Sequence, residues 1–163
     1  MSLAAIALGS NLRSPLGDRD ANLREAVRRV GELGAVRAVS SFYDTAPVGY
    51  ERQPNFLNAA LLLETALEPL ELMRALLAIE RTMGRDRTLA ISKGPRLIDL
   101  DLLLLDGVVL ATASGPNGEP ALTLPHPAMA ERRFVLEPLA EIAPAMIDPR
   151  SGRSVAELLA ILG

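Results

Sequence analysis

Hydrophobic and polar positions along the first part of the chain predict a strand, a helix and a second strand. The apolar run at residues 3–8 (LAAIAL) ends at the turn cluster 9–11 and predicts a buried strand. Apolar residues at helical spacing predict a helix over 18–33, which Gly34 would stop. Residues 35–43 are rich in β-branched and aromatic side chains and predict the second strand.

The middle of the chain predicts another strand, helix and strand. Residues 56–64 (FLNAALLLE) predict a long strand, although their Ala and Leu content is also compatible with a helix. Residues 68–83 predict a helix that begins at an acidic turn, with Pro69 in the first helical position. Residues 84–96 show no periodicity and predict a long loop, whereas residues 97–105 (LIDLDLLLL) predict a central strand.

The remaining segments predict a loop, a hairpin and a terminal helix. Residues 44–49 (DTAPVG) predict a loop. Residues 108–111 and 121–124 flank the turn-rich stretch 114–120, a pattern typical of a β-hairpin. Prolines punctuate the chain beyond this point, and residues 155–162 predict a short helix.

The resulting order of elements, β-α-β-β-α-β, predicts the fold class. We expect an α+β sandwich of the ferredoxin-like type, in which two helices cover one face of a mainly antiparallel sheet. No internal repeat, low-complexity tract or linker interrupts the 163 residues, so a single domain over 1–163 is expected.

Composition excludes several kinds of chemistry. The absence of cysteine excludes disulfides, thiolate zinc sites, iron–sulfur clusters and cysteine nucleophiles, and the single histidine, His126, excludes multi-histidine metal sites. The net charge of −3 argues against a generally basic nucleic-acid-binding protein. Because no apolar stretch approaches the length of a membrane span and the N-terminus does not resemble a signal peptide, we expect a cytoplasmic protein without membrane partners. We also expect a monomer.

Two acidic residues interrupt the apolar strand at 97–105. Asp99 and Asp101 would point to the same face, roughly 6.6 Å apart along the strand. Like charges this close resist joint ionisation, and a divalent cation removes the difficulty. Oxygen ligands favour Mg²⁺ or Mn²⁺ over zinc, and two carboxylates can bridge two metals, as in phosphoryl transfer. Alternatively, the pair lies on a solvated face or is neutralised by nearby arginines.

The segment before that strand is strongly basic. Residues 81–96 hold five basic side chains and one acid, a local charge of +4 in a chain of net charge −3. Guanidinium groups beside a carboxylate pair suit a polyphosphate–Mg²⁺ complex, although an ordinary solvated loop is the alternative. Glycine-rich phosphate loops and protein-kinase signatures are absent from the sequence, so a nucleotide site would rely on arginines and metal.

Three further positions are candidates for ligand contacts. His126 lies between two prolines that hold the backbone extended, so its imidazole could contact a phosphate or shuttle a proton, or be merely structural. Phe56 and Asn58 share a strand face, where a ring could stack on a flat heterocycle and an amide could read its edge. The alternative for Phe56 and for Phe134 is a place in the hydrophobic core.

These pieces, in this order, resemble the 6-hydroxymethyl-7,8-dihydropterin pyrophosphokinase family of folate biosynthesis. The resemblance spans nearly the whole chain, and the combination of segments is far more specific than any one of them. The matching segments are residues 8–12, 41–43 with 45–49, 53–59, 94–101, 124–127, and 132–136 through 138–139 to 142–144.

The resemblance implies that the chain transfers diphosphate from ATP to the hydroxymethyl oxygen of a reduced pterin and releases AMP. It implies that Asp99 and Asp101 bind two Mg²⁺ ions and act in catalysis with Arg85 and Arg96. The implied ATP contacts are Arg85, Arg87, Arg96, Leu102, Thr123, His126 and Arg132. The implied pterin contacts are Thr45, Val48, Phe56, Asn58 and Phe134, and the segments 50–54 and 85–93 are implied to be mobile lids.

Some positions depart from the family pattern, and other functions stay open. Lys93 replaces an aromatic residue, Ser92 a basic one, and Leu77 a polar one, while the 114–120 hairpin is longer than usual. The main alternative is a non-catalytic ferredoxin-like ligand-binding module, which would leave the Asp pair unexplained. A two-metal nuclease is a third hypothesis, but it would require more acidic ligands and a broader basic surface.

Overall fold

The protein folds around a five-stranded antiparallel sheet. The structure, a computed structural model, describes residues 1–12, 14, 17–46, 54–84, 97–115 and 118–163. The strands are β1 (Ser2–Ser10), β2 (Ala35–Val39), β3 (Tyr43–Thr45), β4 (Phe56–Thr65), β5 (Asp99–Leu105), β6 (Leu110–Ala111) and β7 (Thr123–Leu124). The helices are α1 (Arg19–Val30), α2 (Pro69–Thr82), α3 (Arg133–Ile142) and α4 (Val155–Leu162), with 3₁₀ turns at Gly31–Leu33 and Met129–Glu131.

The central strand of the sheet is β1. The strand order is β2-β4-β1-β5, and β3 pairs with the beginning of β4. β1 pairs with β4 along its whole length, while β5 pairs with its other edge from Ala4 opposite Leu105 to Gly9 opposite Asp99. The predicted α+β class with a mainly antiparallel sheet and packed helices is therefore confirmed.

The two faces of the sheet bury two separate hydrophobic clusters. Alternate residues of β1 and β4 point toward α1 and α2, as predicted, and pack against apolar residues such as Leu23 and Leu72. The opposite face is covered by α3 and α4, so the expectation that helices cover only one face was incomplete. α3 contains Pro138, which removes a helical backbone donor, yet Val135, Leu136 and Leu139 bury its apolar side against the sheet.

The segment predicted as one strand over 35–43 is broken in two. At the break, the backbone N–H of Ser40 donates to the Ala60 carbonyl at 2.9 Å, and its hydroxyl accepts from the Ala60 N–H at 2.9 Å. The chain then resumes as β3, which includes Asp44 and Thr45. The loop predicted over 44–49 was therefore wrong for its first two residues, and residues 47–49 lie outside the described part of the chain.

The predicted helices, strands and hairpin otherwise form close to their expected positions. Glu68 and Glu71 form a capping box at the start of α2, with Pro69 in the first turn. The helix stop at Gly84 adopts a φ of 103°, a backbone conformation that glycine tolerates best. The predicted hairpin is confirmed by the pairing of β6 with β7. Among the described residues, no helix is both long and apolar enough to cross a membrane.

Candidate active site

Polar residues replace apolar ones at one end of the sheet face that α3 covers. Because β4 and β5 both run antiparallel to β1, both begin beside the point where β1 ends. On this face Asn58 and Asp99 stand on either side of Gly9, and Asp101 lies opposite Ala7. Small residues on the central strand leave open space between the flanking side chains.

That space is a cavity of about 540 Å³. Its lining residues come from β1, β3, β4 and β5 and from the stretch that leads into α3. The residues predicted as site residues that line it are Thr45, Phe56, Asn58, Asp99, Asp101, Arg132 and Phe134. Four of the five predicted pterin contacts and both predicted metal ligands therefore border one cavity.

A second cavity of about 250 Å³ lies at the outer edge of β5. Leu102, Thr123 and His126, three of the predicted ATP contacts, line it together with apolar residues of α2. Asp101 borders both cavities. A ligand in one cavity and a ligand in the other would therefore approach each other beside this carboxylate.

The two carboxylates are half-buried side chains on one strand face. Within the residues that the structure describes, no third Asp, Glu or His completes a group of three that could hold a metal ion. This donor set fits Mg²⁺, because Mg²⁺ usually keeps several waters and binds through one or two carboxylates plus substrate phosphates. It does not resemble the closed four-ligand site of a structural zinc ion.

The His126 imidazole is held in a defined orientation. Its Nδ1 atom accepts a hydrogen bond from the Ala128 N–H at 3.2 Å, and its backbone N–H donates to the Leu103 carbonyl at 2.8 Å. Burial lowers the pKa of His126, the Arg132 guanidinium lowers it further, and Asp99 opposes both effects. The neutral ring therefore carries its proton on Nε2, which can donate to an acceptor such as a phosphate oxygen.

The amide of Asn58 is fixed against the floor of the larger cavity. Its Nδ2 atom donates to the Thr45 hydroxyl, and β3 holds Thr45 opposite Phe56. Arg19 links β3 to the start of β4, because its guanidinium forms an ion pair with the Asp44 carboxylate at 2.9 Å and donates to the Asn55 carbonyl at 2.8 Å. At the start of α3, the Arg132 guanidinium lies 5.7 Å from the centre of the Phe134 ring, and both residues line the same cavity.

Several predicted contacts lie outside the described residues, and several lining residues were not predicted. Arg85, Arg87, Arg96 and Val48 belong to the first group, as do residues 50–53 of the expected lid segment 50–54 and the whole of the segment 85–93. Glu131 and Arg133 line the larger cavity without having been assigned a role. Their place directly before Phe134 was a usable signal, because a 3₁₀ turn and the start of α3 bring the whole stretch to the cavity.

Comparison with known proteins shows the family to which the chain belongs. Residues 5–144 match the family model described as 7,8-dihydro-6-hydroxymethylpterin-pyrophosphokinase. A 2-amino-4-hydroxy-6-hydroxymethyldihydropteridine pyrophosphokinase from Bacillus subtilis is 46% identical over 143 residues, covering 86% of this chain and 78% of the relative. A protein of the same name from Pseudomonas aeruginosa is 44% identical over 155 residues, covering 95% of this chain and 88% of the relative.

Solved structures show the same fold. The wild-type HPPK-DHPS protein of Plasmodium falciparum, crystallised with SDX-DHP, matches with a TM-score of 0.76 at 15% sequence identity. The match covers 99% of this chain and 43% of that longer chain. Family model, relatives and fold agree, and the chain belongs to the 7,8-dihydro-6-hydroxymethylpterin-pyrophosphokinase family of transferases.

Proposed function

We propose that this chain transfers the β,γ-diphosphate of ATP to the hydroxymethyl oxygen of 6-hydroxymethyl-7,8-dihydropterin, with two Mg²⁺ ions. The pterin oxygen forms a bond to the β-phosphorus, the bond from that phosphorus to the α–β bridging oxygen breaks, and AMP leaves with that oxygen. The hydroxyl proton passes to solvent. The observation that carries the proposal is Asp101, which borders both cavities and so lies where the two substrates would meet.

The larger cavity suits the pterin. Phe56 from β4 and Phe134 from α3 supply aromatic surface to this cavity, and a flat heterocycle stacks well on such rings. Asn58 offers an amide edge whose orientation the Thr45 hydroxyl fixes, so donors and acceptors of a pterin edge can pair with it. We expect the backbone of Thr45 and of Val48 to complete these contacts.

The smaller cavity suits the nucleotide. Its apolar lining fits a purine, and Thr123 provides a hydroxyl for the ribose, with the backbone near Leu102 for the base. His126 lines this cavity and can donate from Nε2 to a phosphate oxygen. Arg132 adds a fixed positive charge on the pterin side, and we expect Arg85, Arg87 and Arg96 to contact the remaining phosphate oxygens.

The carboxylates of Asp99 and Asp101 would hold the metal between the two substrates. Bound Mg²⁺ supplies positive charge that neutralises phosphate oxygens as charge develops in transfer. The protein contributes positioning: the strand fixes both carboxylates on one face, and two cavities that meet at Asp101 would bring the pterin oxygen close to the β-phosphorus.

Product identity tests this proposal. AMP formation from ATP is measured with Mg²⁺, with and without 6-hydroxymethyl-7,8-dihydropterin, and the diphosphorylated pterin is followed in parallel. Pterin-dependent AMP supports the proposal, whereas ADP or no product overturns it. Binding of both ligands without turnover would favour the alternative, a non-catalytic ligand-binding module.

The proposal also includes where and in what form the protein acts. We propose that it acts as a monomer in the cytoplasm and has no nucleic-acid or membrane partners.

A further inference from the structure

The most deeply buried acid among the described residues lies outside both cavities. Glu80 is on the core side of α2, one turn beyond Leu76, and is only 1% exposed. Helical periodicity calls for an apolar residue at this position, since Leu72 and Leu76 on the same side are buried in the hydrophobic core. Acidic side chains are almost never fully buried unless they have partners, so this carboxyl group requires a specific role.

The described contact of Glu80 is to the strand that carries the two aspartates. Its Oε2 atom accepts a hydrogen bond from the backbone N–H of Leu100 at 2.7 Å, a short distance for an N–H···O bond. Leu100 is the residue between Asp99 and Asp101. Glu80 therefore holds the strand at the point from which both carboxylates project.

The geometry of an edge strand makes this contact structurally significant. β5 pairs with β1 along its inner edge, and successive N–H groups of a strand point to opposite edges. The amides of Asp99 and Asp101 thus face β1, and the amide of Leu100 faces outward, where the described part of the chain offers no further strand. Leu100 is 4% exposed, so an outward amide at this point requires a partner from within the protein.

We propose that Glu80 is a positioning residue for the metal site, acting through the Leu100 amide to fix the spacing and direction of Asp99 and Asp101. A carboxylate pair tolerates little displacement when it must chelate Mg²⁺, whose octahedral geometry is strict. Loss of the outer hydrogen bond would let the first residues of β5 shift, and metal affinity would fall. This inference rests on the proposed function, because it assumes that the two aspartates hold metal.

Two variants of matched length separate the hydrogen bond from packing. Glu80→Gln keeps an acceptor oxygen for the Leu100 amide, and Glu80→Met removes it while filling a similar volume. Mn²⁺ affinity is measured by electron paramagnetic resonance on the full chain in the presence of a non-hydrolysable ATP analogue. We expect Glu80→Met to weaken Mn²⁺ binding roughly tenfold, the scale of one lost hydrogen bond to a charged group, and Glu80→Gln by no more than about threefold.

Amide hydrogen exchange at Leu100 reports directly on the hydrogen bond to Glu80. The exchange rate should increase in Glu80→Met and much less in Glu80→Gln. Leu72→Ala changes a buried residue on the same helix face whose side chain has no polar atom to hydrogen-bond with β5. It is the control for general destabilisation and should leave Mn²⁺ affinity unchanged. If Glu80→Met does not fold, Glu80→Ala replaces it.

The outcomes are separable. The positioning role would be overturned if Glu80→Met binds Mn²⁺ as tightly as wild type, or if Glu80→Met and Glu80→Gln lose Mn²⁺ affinity equally. It would also be overturned if Leu72→Ala loses as much Mn²⁺ affinity as Glu80→Met. Failure of the wild-type protein to bind Mn²⁺ with the nucleotide analogue would instead overturn the proposed metal site.

Discussion

Gly9 lies so close to Asn58 that a methyl group at position 9 would come within 2.9 Å of the Asn58 side-chain oxygen. The two residues are direct partners across β1 and β4. The missing side chain at Gly9 therefore leaves room for the amide of Asn58, which the Thr45 hydroxyl holds from its other end. Both residues belong to the floor of the larger cavity, so their packing defines the surface that a pterin would meet.

We predict that Gly9→Ala weakens use of the pterin far more than use of ATP. The added methyl group must push the Asn58 amide aside, which misaligns its edge and narrows the cavity. We expect the KM for the pterin to rise roughly 10- to 100-fold, the cost of one or two misplaced hydrogen bonds, with the KM for ATP within about threefold of wild type. Steady-state kinetics with each substrate varied in turn measure both values.

A matched change at Gly107 is the control for that experiment. Gly107 lies in the turn after β5, and a Cβ there would meet no atom of the described residues within 4 Å, although its φ of 75° makes substitution mildly straining. Gly107→Asn suits that backbone conformation and should leave both KM values unchanged. Equal increases in the two KM values of Gly9→Ala would contradict a specific effect on the pterin side.

His126 should make the stability of the protein depend on pH in a defined direction. Its pKa is lowered in the folded state, mainly by burial, so the unfolded chain binds the proton first as the pH falls. Above about pH 6.5, the ordinary histidine value, both states are neutral and the effect vanishes. Below it, wild-type stability falls until the pH reaches the folded pKa, after which the loss stays constant.

Urea unfolding at a series of pH values, in wild type and in His126→Gln, tests this dependence. The stability difference between wild type and variant should shrink as the pH drops below about 6.5 and be constant above it. Because the variant lacks the titrating ring, its own curve reports all other groups. If wild type instead becomes more stable relative to His126→Gln as the pH falls, the pKa of His126 is raised in the folded state.

Tyr43 and Glu141 form a contact between β3 and α3 that can be observed by titration. The Tyr43 hydroxyl donates to Glu141 at 2.5 Å, and this contact raises the pKa of Tyr43 to about 12. We predict that Glu141→Gln moves the Tyr43 pKa back toward its ordinary value near 10, because the negative charge is gone. Absorbance at alkaline pH measures it, in a Tyr50→Phe background that leaves one tyrosine. A Tyr43 pKa that stays high in the variant would assign the shift to burial and to the charge of Glu137 instead of to Glu141.

The site was largely predictable from the sequence where a residue violates the pattern around it. Asp99 and Asp101 interrupt a strand of leucines, and the same-face rule for strands is purely geometric, so their common orientation followed at once. Phe56 and Asn58 share a face for the same reason. Their meeting with the aspartates also follows, once antiparallel pairing brings the beginnings of β4 and β5 to the end of β1.

Other features depend on tertiary contacts that local patterns do not encode. α3 was missed because Pro138 weakens any local preference for helix, and the helix is stabilised by burial of its apolar side against the sheet. The break at Ser40 depends on hydrogen bonds to Ala60 on another strand. An acid at a core position of an amphipathic helix departs from the expected pattern, so the sequence did contain a signal for Glu80. The role of Glu80 could not be predicted, because its hydrogen-bond partner, the Leu100 amide, is 20 residues away in the chain.

Replacing either aspartate with asparagine should abolish transfer while the fold survives. Asp99→Asn and Asp101→Asn keep the size of the side chain but remove the charge that would hold Mg²⁺, and each should lower kcat/KM by at least roughly 10²- to 10³-fold, the scale of losing one preorganised electrostatic contact. Thermal unfolding should stay near wild type or rise, since two like charges on one strand face no longer repel.

Asp106→Asn is the matched control, because Asp106 is an exposed acid just after β5 and borders neither cavity. It should keep full activity and the wild-type Mg²⁺ dependence. Asp101 borders both cavities and Asp99 only the larger one, so Asp101→Asn should weaken binding of the Mg²⁺–nucleotide complex more than Asp99→Asn does. Near-normal turnover in the variant that combines Asp99→Asn and Asp101→Asn would show that the two carboxylates do not hold a catalytic metal ion. The two cavities would then have no catalytic centre between them.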